Sequence, residues 1–109
     1  MYRTLTCNDL TEKNVGDEVT LSGWVNRRRD HGGVIFIDLR DRYGLTQVVS
    51  HPENHPEAHG AMDKVRSEFV IQIKGKVIAR PEGQTNNNID TGKIEVEVSS
   101  MFMVLLLID

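Results

Sequence analysis

The sequence predicts an all-β domain, a small five-stranded barrel with one helix between its third and fourth strands. Three observations carry this expectation. Five runs of apolar residues alternate with polar ones at a period of two. One segment, 51–69, changes to helical spacing. Turn-forming residues (glycine, asparagine, aspartate) separate the runs. The chain of 109 residues fits one domain, 1–109, long enough to bury a core without a metal or disulfide staple.

Residues 8–16, NDLTEKNVG, read as a short helical turn or loop, capped by Asn8 or Asp9 and ended by Gly16. Strand one, 19–25, sets Val19, Leu21, Gly23 and Val25 against Thr20, Ser22, Trp24 and Asn26, then runs on into Arg27, Arg28 and Arg29. Asp30-His31-Gly32-Gly33 is a turn signal. Strand two, 34–41, places Ile35, Ile37 and Leu39 on one face and Val34, Phe36, Asp38 and Arg40 on the other. Arg42-Tyr43-Gly44 turns the chain into strand three, 45–50. In the helical segment Ala58, Met62, Val65 and Phe69 share a face, Pro56 suits the first turn, and Asn54 or His55 serves as cap. Gly60 weakens this helix by about 1 kcal/mol relative to alanine. Strand four, 69–81, carries Gly75 at its middle, which predicts a bend or bulge. A polar loop, 81–92, leads to strand five, 93–100, with Ile94, Val96 and Val98 opposed to Glu95 and Glu97. The order β-β-β-α-β-β is that of the OB-fold, a five-stranded Greek-key barrel. Fold alone does not specify function.

Net charge is −3, which by itself argues against a nucleic-acid partner. The distribution matters more, because Arg27, Arg28, Arg29, Arg40 and Arg42 crowd one stretch and form a local basic face. The single cysteine, Cys7, excludes an internal disulfide and suits a reducing, cytoplasmic setting. MYRTLTCNDL lacks the apolar segment of an export signal. The longest apolar run, Met101 to Ile108, is too short to span a bilayer, so no membrane association is expected.

Phe36 lies between two inward isoleucines and should point outward, either packing at an edge under a loop or offering a platform for an unpaired base. Such stacking is worth about 1–3 kcal/mol per base. Arg27 and Arg29 share one face of a regular strand while Arg28 points the other way, so at least one of the three differs in role, and a bulge would change which. They are either a solvated strand end or grips for phosphate and base edges. Gln47 and Glu95 are either ordinary outward polar residues or base readers: an amide both donates and accepts, whereas a carboxylate only accepts and suits a guanine-type edge. Asn86, Asn87 and Asn88 form a turn or contact a ligand as the loop closes. His51, His55 and His59 recur every fourth residue, but Pro52 and Pro56 interrupt them and no cysteine lies nearby, so they read as a polar connection and not a metal site. Cys7 has no evident base partner. The chain reads as a binding module, with no catalytic residues and no metal.

The runs GWVNRRRDHGGVIFIDLRDRYGLTQVV, RSEFVIQIKGKVIARPEG and NIDTGKIEVEVSS resemble the N-terminal domain of bacterial aspartyl-tRNA synthetases and cover nearly the whole chain to about Ser100. The related lysine and asparagine enzymes share a looser pattern of GWV, an arginine, LRD and QVV. The resemblance implies an OB-fold that reads the anticodon while a separate domain performs aminoacylation. Residues matching Arg29, Phe36, Gln47 and Glu95 contact anticodon bases in that family, the phenylalanine stacking on the middle base and the glutamate meeting the first. Residues matching Gln84 and Asn86 approach the anticodon, although some relatives carry asparagine in place of Gln84. Arg27 and Arg28 are expected to meet phosphate or the loop. His31 and Gly83 resemble residues of non-discriminating enzymes, which charge both tRNA-Asp and tRNA-Asn. The implied partner is therefore tRNA-Asp, with tRNA-Asn as a second, and the full-length enzyme is expected to be a homodimer. ATP and magnesium belong to the catalytic domain, which this sequence does not include, so no cofactor is expected in this chain. After Ser100 the sequence departs from the family's polar hinge. Its apolar tail reads as an added core strand, a divergent hinge or an artificial terminus.

Overall fold

A computed structural model describes residues 5–103. Five strands, β1 (Glu18–His31), β2 (Val34–Asp41), β3 (Gly44–Ser50), β4 (Val70–Ala79) and β5 (Ile94–Met103), close into a barrel in the order β1-β2-β3-β5-β4. Neighbouring strands run antiparallel except β3 and β5, which pair in parallel at Val48↔Val96 and Val49↔Glu97. The helix α1 (Pro56–Met62) lies between β3 and β4 in sequence and packs on β3 and β5. This is the expected OB-fold. No helix among the described residues is long and apolar enough to cross a membrane.

The register of β2 follows from burial. Ile35, Ile37 and Leu39 are at most 2% exposed. A slip of one residue would turn all three to solvent, at about 1.5–3 kcal/mol each. That cost holds Phe36 and Asp38 on the outer face. The β1–β2 hairpin closes with two residues of positive φ, Gly32 at 57° and Gly33 at 87°, as a tight turn with right-handed strand twist requires.

β1 obeys two parities. From Val19 to Val25 the odd positions enter the core. Between Val25 and Arg27 the pairing with β2 shifts by one: Val25 faces Leu39, but Arg27 faces Asp38, leaving Asn26 as a bulge. Beyond it, Arg27 and Arg29 share the outer face with Asp38 and Phe36, and Arg28 lies opposite inward Ile37. A second register shift, between Lys74 and Gly75 of β4, matches the expected bulge. A Cβ on Gly75 would collide with the backbone oxygen of Glu97, so only glycine admits the strand crossing.

Arg28 ties β1 to the end of α1. Its Nη1 donates to the backbone oxygens of Asp63 and Val65 at 2.8 Å and of Met62 at 3.3 Å, satisfying carbonyls at the C-terminus of α1. α1 is shorter than the periodicity implies. Ala58, Met62 and Val65 are buried and Phe69 packs against the core, but only Ala58 and Met62 belong to the helix. Val65 and Phe69 arrive by turns, with Glu68 at a φ of 71°. His55 occupies the cap position without a side-chain bond, and Asn54 bonds Glu97 instead. At the N-terminal end neither Asn8 nor Asp9 caps the single turn at Glu12–Asn14. Thr11 does, in a reciprocal capping box with Asn14. Gly16, at a φ of 98°, ends the turn as expected. Cys7 is fully buried in the core. Met101, Phe102 and Met103 prolong β5 along β4, and the rest of the apolar tail lies outside the described residues.

Arg28→Met should lower the unfolding free energy by about 1.5–3 kcal/mol, the range for hydrogen bonds from a charged donor. Urea denaturation of the two proteins measures this, and a change within 0.5 kcal/mol, typical of an unconstrained surface site, would show that the tie between β1 and α1 contributes nothing.

Candidate nucleic-acid interface

The outer face of β1, β2, β3 and β5 carries two cross-strand rows. Arg29, Phe36, Val49 and Glu97 form one, and Arg27, Asp38 and Gln47 form the other, with Glu95 continuing it two residues before Glu97. Over these rows lies an open hollow of about 450 Å3 lined by Arg29, His31, Phe36, Gln47, Arg80 and Gln84. That volume falls within the roughly 300–1,000 Å3 of small-ligand sites.

Phe36 forms one wall. The Arg29 guanidinium carbon sits 5.9 Å from the centre of its ring, within cation–π reach. His31, the last residue of β1, meets the ring edge-on at 6.2 Å and 78°. The ring is half-buried, so it keeps an open surface for stacking.

The floor is a hydrogen-bonded relay. Arg29 Nη2 donates to Asp38 Oδ1 at 3.2 Å and to Gln47 Oε1 at 2.9 Å. Gln47 Nε2 donates to Glu95 Oε1 at 2.8 Å. Gln47 and Glu95 are 6% and 4% exposed, so the polar pair is almost wholly screened from water. Burial pushes the Glu95 carboxyl above its usual range, opposed by the Gln47 hydrogen bond and by the charge of Arg80. Arg80 is anchored by Nε donating to the Ile94 backbone oxygen at 2.9 Å. Burial lowers its pKa while Glu95 and Asp38 oppose that shift, and an arginine keeps its charge regardless. The face therefore offers a flat ring, fixed donors, one buried acceptor and positive charge, a set suited to unpaired bases and their phosphates.

Comparison with known proteins agrees. The tRNA anticodon family, described as an OB-fold nucleic acid binding domain, matches residues 19–104. The chain belongs to this family. Among curated relatives, the aspartate–tRNA(Asp/Asn) ligase of Chlamydia trachomatis serovar L2 is 59% identical over 92% of this chain, and that of Protochlamydia amoebophila is 60% identical over 91%. The chain spans only 17% and 16% of those proteins' lengths. The fold is also that of asparaginyl-tRNA synthetase from Pyrococcus horikoshii, which aligns with a TM-score of 0.79 at 24% identity, covering 98% of this chain and 23% of that one.

Within this anticodon-family domain the expected site residues divide. Arg29, Phe36, Gln47, His31 and Gln84 line one hollow, Glu95 joins them through Gln47, and exposed Arg27 shares their face. Arg28 does not. Its guanidinium, expected to meet phosphate or the loop, is committed to the end of α1, and its side chain is 15% exposed. Asn86 is also absent from the hollow, because its side chain accepts from the Asn88 backbone and its own backbone bonds Gly92, shaping the 81–92 loop. Gly83, at a φ of 83°, sits in a tight turn closed by Gln84 N donating to the Pro81 oxygen, so it sets where Gln84 points. His51 and His55 approach opposite oxygens of Glu97 at 3.8 and 3.9 Å, whereas His59 bonds Ser50. Two site residues escape sequence reasoning, Asp38 and Arg80. Alternation puts Asp38 beside Phe36 and Arg80 two residues beyond Ile78, which pairs with Glu95.

The Glu95 shift has a sign. A carboxyl whose folded pKa is raised contributes stability that is full below its unfolded pKa and is lost as pH rises through the folded value. Glu95→Gln keeps an acceptor for Gln47 and removes the ionisation. The variant should therefore melt above the wild type at neutral pH, with the gap closing on acidification. Thermal melts across pH check this; a gap that widens toward acid contradicts it.

Proposed function

We propose that this chain reads the anticodon of tRNA-Asp, and of tRNA-Asn as a second substrate, as the recognition module of an aspartate–tRNA ligase. The observation that carries the reading is the convergence of a stacking ring, Phe36, with Arg29 and Gln47 around one open hollow, Gln47 being bonded in turn to Glu95 beneath it. In this reading the middle base stacks on Phe36. Arg29 and Gln47 hold base edges, Gln47 having a second N–H and a second lone pair to offer. Glu95 accepts from the N–H groups of a guanine at the first position. Arg27 and Arg80 supply positive charge to the backbone, Gln84 approaches from the 81–92 loop, and Asn86 acts through the shape of that loop. The names of the relatives, which include both tRNA-Asp and tRNA-Asn, support a dual substrate. A part for His31 and Gly83 in that choice is supported by the contact of His31 with Phe36 and by the turn at Gly83 that precedes Gln84. Aminoacylation, with its ATP and magnesium, and homodimer formation would belong to the rest of the enzyme.

An RNA hairpin with the aspartate anticodon GUC should bind more tightly than one with a scrambled loop at matched salt. Phe36→Ala should weaken the matching hairpin by about 1–3 kcal/mol. A hairpin with the asparagine anticodon GUU should bind comparably to GUC. Equal affinity for GUC and scrambled loops sinks the anticodon reading, and strong rejection of GUU sinks the dual-substrate part alone.

A further inference from the structure

A carboxylate in the middle of an RNA-facing surface opposes binding, because it repels the phosphates that supply much of the affinity. Asp38 occupies such a place. It stands directly across from Arg27 on β1 and Gln47 on β3, and its side chain is 20% exposed. Its Oδ1 takes one hydrogen of Arg29 Nη2, and Gln47 Oε1 takes the other. With both hydrogens of that nitrogen committed, the plane of the guanidinium is fixed. Arg29 Nη1 makes no hydrogen bond to any described residue, and Nε is buried without a partner. The bond from Arg29 also decides how the Gln47 amide sits: its oxygen is drawn to Arg29, so its nitrogen turns to Glu95. Reversing that amide would exchange the donor and acceptor presented to a base and would set oxygen against the buried Glu95 carboxylate.

We infer that Asp38 is a positioning residue for anticodon discrimination: it anchors Arg29, and through Arg29 orients Gln47, without itself touching RNA. This rests on the proposed reading of the site and goes beyond it, because it assigns selectivity to a group that opposes affinity. A relay already formed in the free protein leaves less ordering to be done on binding, and this lowers the entropic cost for the matching loop.

The test measures the affinity of the 109-residue chain for GUC and scrambled hairpins at one salt concentration. Asp38→Ala should reduce affinity for GUC about tenfold, the effect of one hydrogen bond to a charged group, while the scrambled hairpin binds unchanged or more tightly. Asp38→Asn retains a carbonyl acceptor for Arg29 and should recover most of the GUC preference. Asp38→Ala added to Arg29→Gln should cost no further preference. The inference is overturned if both Asp38 variants tighten both hairpins alike, which makes Asp38 only a repelling charge. It is also overturned if Asp38→Ala weakens both hairpins alike and lowers the melting temperature, which makes it only a structural residue. A wild type that prefers GUC with an Asp38→Ala variant that prefers it equally removes this inference alone. A wild type without preference removes the reading of the site and this inference with it.

Discussion

The bulge at Asn26 is the constraint on which the face depends. Val19, Leu21 and Val25 must enter the core. Continued without interruption, the same alternation would send Arg27 and Arg29 inward beside them, where an unpaired charge has no stable place. One unpaired residue reverses the parity. Arg29 then crosses Phe36, Arg27 crosses Asp38, and Arg28 alone turns toward the barrel interior, where the carbonyls at the end of α1 receive it. Three adjacent arginines of identical chemistry thus acquire different tasks from backbone geometry. The two glycines of the hairpin contribute to the same outcome, since their positive φ angles close β1 onto β2 in the register that brings His31 to the edge of Phe36.

The charge of the chain fits a reader that selects more than it attracts. A net charge of −3 gives little long-range pull on RNA. The local field is mixed as well, with Arg29 and Arg80 set against Asp38 and Glu95. Both carboxylates accept a hydrogen bond from within the relay, and the arginines, Gln47 and Gln84 line the hollow with donors. An arrangement of this kind sacrifices general phosphate affinity and holds its donors and acceptors at fixed angles. The buried Glu95 is the clearest instance, because its desolvation is unfavourable to folding at neutral pH and is retained at the centre of the face.

Most of the barrel was legible because each strand carries one apolar face, and period two translates directly into inward and outward positions. Ile35, Ile37 and Leu39, and Ile94, Val96 and Val98, all lie where alternation placed them. The outward position of Phe36 followed from the same rule, and the resemblance to aspartyl-tRNA synthetases supplied the residues gathered around it. What alternation alone could not locate was the bulge, since Asn26 has no residue signature that distinguishes it from its neighbours. Alternation therefore could not say which way Arg28 and Arg29 face; the expectation for Arg29 came from the resemblance, and the commitment of Arg28 to the end of α1 came only with the structure. The place of Asn86 outside the hollow was hidden for a related reason: a loop residue that lines a site and one that holds its own loop have the same composition. The extent of α1 was overread because Val65 and Phe69 keep helical spacing while reaching the core through turns.

The division of labour between Arg28 and Arg29 can be observed directly by nuclear magnetic resonance. Arginine Nε–H signals of the 15N-labelled chain are followed as the GUC hairpin is added. The account predicts that the Arg29 signal moves with occupancy, together with the side-chain amide of Gln47, while the Arg28 signal stays in place. Movement of Arg28 with Arg29 unaffected would contradict the parity reversal as the source of the reading face.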